Sequence, residues 1–251
     1  MSIQRLQLSN GEIYHAVIRS VGDTVIFNDK NDFYRGVFSI YEFNNTNSVE
    51  IWERRRARSI FKKQEKQNVG CPTPHILQNG GGDNIYIDKR DNLVEILAFC
   101  FMPNHIHLLL RQIKDNGITD FMKKVGGGYA NYFNKKYERK GHLFNRFCAV
   151  YVKTDEQLKN VFVYIHANSI SLIEPGWKES GIENPKKVIK FLEKYKWSSY
   201  QDYLGKKNFP SVTEREFMSE VMDHQQGCRE AVENWIKYKK EMKAFGDIIL
   251  E

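Results

Sequence analysis

Two apolar runs separated by a Pro-Asn pair constrain this chain more than any other feature. NLVEILAFCFM (92–102) and HIHLLLRQ (105–112) each read as a buried strand, and only Pro103 and Asn104 lie between them. A two-residue connection of turn-forming residues folds the runs back on each other as an antiparallel hairpin. Any fold for the chain must be built around that hairpin.

The segments on either side supply its neighbours. EIYHAVIR (12–19) alternates apolar and polar, the pattern of a strand with one buried face, and Gly22-Asp23 forms a turn soon after it. DFYRGVFSIYEF (32–43) spaces Phe33, Val37, Ile40 and Tyr41 as a helix does. Phe121, Val125, Tyr129, Tyr132 and Phe133 form a second helical face within 115–141. Gly126 to Gly128 interrupt that helix at a cost of roughly 1 kcal/mol each against alanine. Either another part of the chain approaches closely there or the helix is weak at that point. HLFNRFCAVYV (142–152) reads as a third core strand. Thr154 and Gln157 have the spacing of a capping box that starts a helix over about 155–169, with Leu158, Val161, Phe162 and Ile165 buried. Further on, Asn184-Pro185 begins a helix through Leu192, Thr213 and Glu216 have the spacing of a second box, and helical periodicity returns near 228–244. The order strand, helix, strand, strand, helix, strand, helix predicts an α+β fold: a mixed, mostly antiparallel sheet with helices on one face.

Charge and cysteine content narrow the setting. Of 251 residues, 38 are Lys or Arg and 31 Asp or Glu, a formal net charge of +7 and a pI near 9.1, compatible with a nucleic-acid partner. Cys71, Cys100, Cys148 and Cys228 are far apart with no CxxC pair, which argues against a zinc ribbon or a disulfide framework and for a reducing cytoplasm. The N-terminal segment has no apolar signal-like core and no run of membrane-spanning length follows, so the expectation is a cytoplasmic protein without a membrane partner. Residues 44–92 break the pattern and read as an inserted basic arm. Arg54, Arg55, Arg56, Arg58, Lys62, Lys63 and Lys66 make it either a solvated helix face or a phosphate-contacting segment.

Chemistry concentrates at two places. Side chains two apart on a strand share a face, so His105 and His107 project side by side while Ile106 points the other way. Paired imidazoles repel when both are charged, so neutral metal-ligand roles suit them, although an HxH spacing alone also fits a core histidine beside a surface one. On the expected helix, Tyr164 and Asn168 stand one turn apart on the same flank. Docked against the sheet, they would bring a phenol and an amide oxygen to the imidazoles.

These residues carry a resemblance. MPNHIHLLL (102–110) resembles the HUH motif of the IS200-like single-tyrosine transposases, closest to the REP-associated tyrosine transposases. YHAVIR (14–19), ITDFMKKVGGGYANYFNKKYERKGHLFNRF (118–147), YIHANS (164–169) and WSSYQDYL (197–204) resemble further segments of that family in the same order. The resemblance implies a ferredoxin-like sheet, with the transposase-like domain over 1–205 and a helical C-terminal extension over 206–251. It implies Tyr164 as nucleophile and His105, His107 and Asn168 as ligands of Mg²⁺ or Mn²⁺. The implied reaction is transesterification on single-stranded DNA at hairpin-flanked, palindromic sites through a 5′-phosphotyrosine link. The resemblance leaves monomer and homodimer both open and goes with a nucleoid-associated location. Arg146, Lys123, Lys124 and the arginines Arg54, Arg55 and Arg56 are expected on DNA phosphates, and His166 in packing. One departure is Ser169, where the family often has proline after the amide. A domesticated hairpin-binding protein without catalysis is the alternative.

Overall fold

The structure, a computed structural model, describes residues 8–49 and 90–238. Arg54, Arg55 and Arg56, with most of the expected basic arm, lie outside the described residues. The elements are β1 (Ile13–Arg19), α1 (Lys30–Glu42), β2 (Val94–Met102), β3 (His105–Gln112), α2 (Gly117–Lys136), β4 (Cys148–Val152) and α3 (Asp155–Ala167). A 3₁₀ turn at Asn168–Leu172 continues α3, followed by α4 (Trp177–Ser180), α5 (Pro185–Leu192), α6 (Tyr200–Tyr203), α7 (Arg215–Val221) and α8 (His224–Tyr238).

The four strands form one sheet in the order β2-β3-β1-β4, and each pair is antiparallel. With α1 between β1 and β2 and α2 between β3 and β4, this is the ferredoxin-like arrangement. The Pro103-Asn104 turn closes the hairpin with Met102 opposite His105. Alternation along the strands then sorts side chains to two faces. Tyr14, Ala16, Ile18, Phe99, Phe101, Ile106, Leu108 and Leu110 pack beneath α1 and α2. Cys100, Met102 and Leu109 face the other way, against α3 and the helices after it. The crossover helices thus cover one face, as the element order predicts, and the later helices build a second layer on the other. Each large apolar side chain removed from water in these layers contributes about 1.5–3 kcal/mol.

Local chemistry starts and stops these elements. Asp29 and Asp32 form a reciprocal capping box at the head of α1. Thr154 accepts from the Gln157 amide at the head of α3, but the Gln157 side chain turns to the Lys153 amide instead of closing the box. Asn184 caps α5 with Pro185 behind it, as expected. The box expected at Thr213 and Glu216 does not form: α7 begins after Glu214 without a side-chain cap, and the Thr213 hydroxyl is buried. The third core strand is shorter than the apolar pattern of 142–152 predicts. Only Cys148–Val152 pairs with β1, because residues before it peel away after a single bridge between Ser20 and Phe144. The glycine run in α2 marks a close approach. A Cβ on Gly128 would lie 2.2 Å from the Phe43 ring and one on Gly126 3.1 Å from Ile18, whereas one on Gly127 would meet nothing. The outer edge of β2 is covered by 197–199: the Phe101 amide donates to Trp197 and the Ser199 amide to Phe99.

Candidate active site

The site lies on the sheet face that α3 covers. His105 and His107 on β3 share that face with His15 on β1, and all three are buried. The rings of His15 and His107 stack at 5.2 Å between centroids, and those of His105 and His107 meet edge to face at 4.8 Å. Tyr164 on α3 closes the group, its ring centroid 5.9 Å from His107 and 6.0 Å from His15. The phenol from the late helix therefore meets His107 and His15 within one chain. Tyr164 is buried in the same layer as Phe162 and Ile165, but Phe162, two residues before it, packs on His166 and Tyr203.

Hydrogen bonds fix the imidazole nitrogens. Asn104 donates its amide N–H to Asp23 at 3.1 Å, which turns its oxygen toward His105 Nδ1 at 2.6 Å. That oxygen only accepts, so Nδ1 carries the proton and His105 Nε2 keeps its lone pair. His107 Nδ1 lies 3.0 Å from His15 Nε2, while His107 Nε2 is buried without a hydrogen-bond partner among the described residues. One proton is shared between these two nitrogens, and in the tautomer that places it on His107 Nδ1 the Nε2 lone pair is bare. Burial and then the cations Arg19 and Lys178 hold the His105 imidazole neutral, down to about 3. Burial, then the neighbouring His15 and His105, push His107 well below its ordinary value. Two neutral imidazoles with bare Nε2 atoms are the form that binds a cation.

Asn168 is buried one turn beyond Tyr164, at the junction of α3 and the 3₁₀ turn, and donates its amide N–H to the Tyr164 carbonyl at 2.9 Å. This anchors the side chain and leaves its oxygen as the donor atom on offer. Among the described residues, no three His, Cys, Asp or Glu side chains form a metal-holding group. A cation here would rest first on the two imidazoles of β3.

Two cations at the site escape the sequence reading. Arg19 stands opposite His105 in the β1–β3 register and at the end of the strand that carries His15. It shares the parity of His15, so its face was legible; that β1 lies beside β3 was not. Lys178 on α4 donates to the Tyr164 hydroxyl at 3.1 Å. Its ammonium lies 5.5 Å from the Tyr164 ring centroid.

The expected DNA contacts divide. Arg146 is exposed on the stretch beside the end of β1, where Asn145 bonds to Arg19 and Ser20. Lys123 is exposed and 3.7 Å from Asp120. The Lys124 ammonium is committed to the carbonyls of Asn45, Thr46 and Asn47 at 2.5–3.0 Å, which makes it a tie between α2 and the end of α1. His166 turns away from the imidazole group. It meets the Ser199 hydroxyl at 2.8 Å and packs on Phe162, Tyr200 and Tyr203. Burial lowers its pKa to about 3, the packing role expected of it.

No helix among the described residues is long and apolar enough to cross a membrane. No curated protein matches the chain significantly. Among solved structures, a REP-associated tyrosine transposase bound to a REP hairpin is 12% identical with a TM-score of 0.41, covering 84% of this chain and 90% of that one. A bacterial tRNA(His) guanylyltransferase-like protein in complex with ATP is also 12% identical, with a TM-score of 0.39, covering 92% of this chain and 93% of that one. At these values neither likeness assigns a function. The family described as "Transposase IS200 like" matches residues 85–168, about one third of the chain, a segment that holds the hairpin, both histidines of the HxH pair, Tyr164 and Asn168.

Proposed function

We propose that this chain is a single-tyrosine DNA strand transferase of the IS200-like kind, acting on single-stranded DNA at hairpin-flanked sites. The observation that carries the reading is the convergence of Tyr164 with His105 and His107 inside one chain, in the segment that matches the family. The Tyr164 hydroxyl attacks a scissile phosphate, an O–P bond to the phenol forms, and the bond to O3′ breaks. The phenol proton passes to water and O3′ takes one up, so no nucleotide cofactor is consumed. The product is a 5′-phosphotyrosine that a 3′-OH later resolves by the reverse exchange.

A divalent cation, Mg²⁺ or Mn²⁺, fits the donors: the bare, buried Nε2 of His107, Nε2 of His105 and the amide oxygen of Asn168. Bound there, it would supply Lewis-acid polarisation of a phosphate oxygen. The chain's own residues do the rest. Asn104 holds the His105 tautomer, His15 shares a proton with His107, Asn168 is pinned to the helix that carries the phenol, and Arg19 and Arg146 would contact a phosphate backbone. One chain supplies both the phenol and the imidazoles.

The test is covalent capture. A hairpin-bearing single-stranded oligonucleotide with Mn²⁺ should yield a denaturant-resistant protein–DNA adduct that Tyr164→Phe abolishes. Tight hairpin binding with no adduct in the wild type would instead support the non-catalytic hairpin-binding alternative.

A further inference from the structure

We propose that Lys178 is a catalytic residue whose ammonium holds the negative charge on the Tyr164 oxygen as the phosphotyrosine bond forms and breaks; this rests on the strand-transferase reading above. Lys178 donates to the Tyr164 hydroxyl at 3.1 Å and touches the atom that would react. The contact is built by long-range packing. Glu174-Pro175-Gly176 turns the chain after the 3₁₀ segment, and Gly176 takes φ 83°, a left-handed value that suits glycine. Trp177, 2% exposed, then plugs into the layer that holds Tyr164 and meets Trp235 of α8 edge to face at 5.3 Å. With its neighbour locked in this way, Lys178 is delivered over the phenol ring rather than left to wander in solvent.

The chemistry calls for such a donor. A phenol is a weak nucleophile at neutral pH, and the phenolate is the leaving group when a 3′-OH attacks the phosphotyrosine. In both directions negative charge passes through the same oxygen. An ammonium already hydrogen-bonded to it stabilises that charge without rearrangement, and removing one such preorganised donor costs on the order of 10²–10³ in rate. The bonds exchanged are unchanged: O–P to the phenol forms as P–O3′ breaks, and the reverse on rejoining. Lys178 thus acts as an electrostatic partner and not as a base.

Single-turnover adduct formation at saturating oligonucleotide separates this role from others. Lys178→Met is expected to slow the step about 100-fold, with Lys178→Arg recovering part of the loss. DNA affinity, measured on the Tyr164→Phe background, should be within about threefold with and without Lys178→Met, because one screened phosphate contact is the most it could lose. Replacing Tyr164 with 3,5-difluorotyrosine, whose oxygen carries charge more easily, should shrink the Lys178→Met defect. A structural role for Lys178 would leave that defect unchanged. If the wild type forms the adduct and Lys178→Met forms it equally fast, the Lys178 role is overturned and the strand-transferase reading stands. A defect that disappears at saturating DNA makes Lys178 a phosphate contact and equally overturns the role. No adduct in the wild type overturns the strand-transferase reading, and the role of Lys178 with it.

Discussion

Asn104 shows how a single side chain sets the chemistry of its neighbour. Its amide is oriented by Asp23 and in turn fixes the proton on His105 Nδ1. Partners of this kind to a metal-binding histidine typically change metal affinity by about 10–100-fold. Asn104→Ala is therefore expected to weaken Mn²⁺ binding by that order while leaving the fold intact, as the turn's backbone bonds to Ser20, Ile26 and Phe27 do not use its side chain; electron paramagnetic resonance of free Mn²⁺ during titration reads it directly. Asn104→Asp, which keeps an acceptor for Nδ1–H, should weaken binding less. At this scale the sequence spoke clearly only where chemistry and local period coincide. His105 and His107 sit two apart on a strand, and Tyr164 and Asn168 four apart on a helix, so each pair could be placed on one face before any fold was known. His15 and Lys178 reach the same site through strand pairing and through a plugged tryptophan, and neither contact has a local spacing to betray it. Lys124 shows the converse: its charge invited a phosphate role, but three backbone carbonyls claim it.

Among the elements, α2 is the one whose composition is explained only by its neighbour. Three glycines weaken the helix, yet it must bear the close approach of the α1 terminus. The Phe43 ring occupies the space a Gly128 side chain would need, whereas Gly127 faces nothing within 4 Å. Gly128→Ala should destabilise the protein by about 1–3 kcal/mol through overpacking. Gly127→Ala should stabilise it by up to about 1 kcal/mol through helix propensity. Urea unfolding of the two variants side by side checks both the sign and the difference, and equal effects would show that Phe43 yields freely. The order and type of the first seven elements were legible because their apolar periods are long and their caps chemically marked. The end of β4 and the head of α7 were not. In both cases the residues have the right pattern, but pairing or capping depends on where the rest of the chain has already gone: Phe144 keeps only one bridge to Ser20, and the Thr213 hydroxyl is buried instead of capping.

Across the whole molecule, the layer between the sheet and the late helices encloses His105, His107 and His166, and all three are held neutral by burial in the first place. Their native values lie below the ordinary one, about 3 for His105 and His166, so the unfolded chain binds protons before the native chain does. By linkage, stability is full above the ordinary histidine value near 6.5 and falls as the pH drops from there toward 3, by up to about 1.4 kcal/mol per pH unit for each histidine. The carboxylates held down by lysines act lower in pH. Asp29, lowered chiefly by its hydrogen bond to Lys136, and Asp91, lowered chiefly by Lys114, lose that stabilisation only as the pH falls below their ordinary 3.8. Asp202, raised by burial, acts above 3.8 instead and there opposes the histidines. The interval from pH 6.5 to 5 thus carries the histidine contribution ahead of that of the lysine-paired carboxylates. Urea midpoints across it should fall steadily for the wild type. His166→Gln, which keeps a polar group beside the Ser199 hydroxyl but cannot take up a proton, should be less stable at neutral pH yet show a shallower fall. A wild-type midpoint flat from pH 6.5 to 5 would mean that water reaches these rings and that the layer opens more readily than its packing indicates.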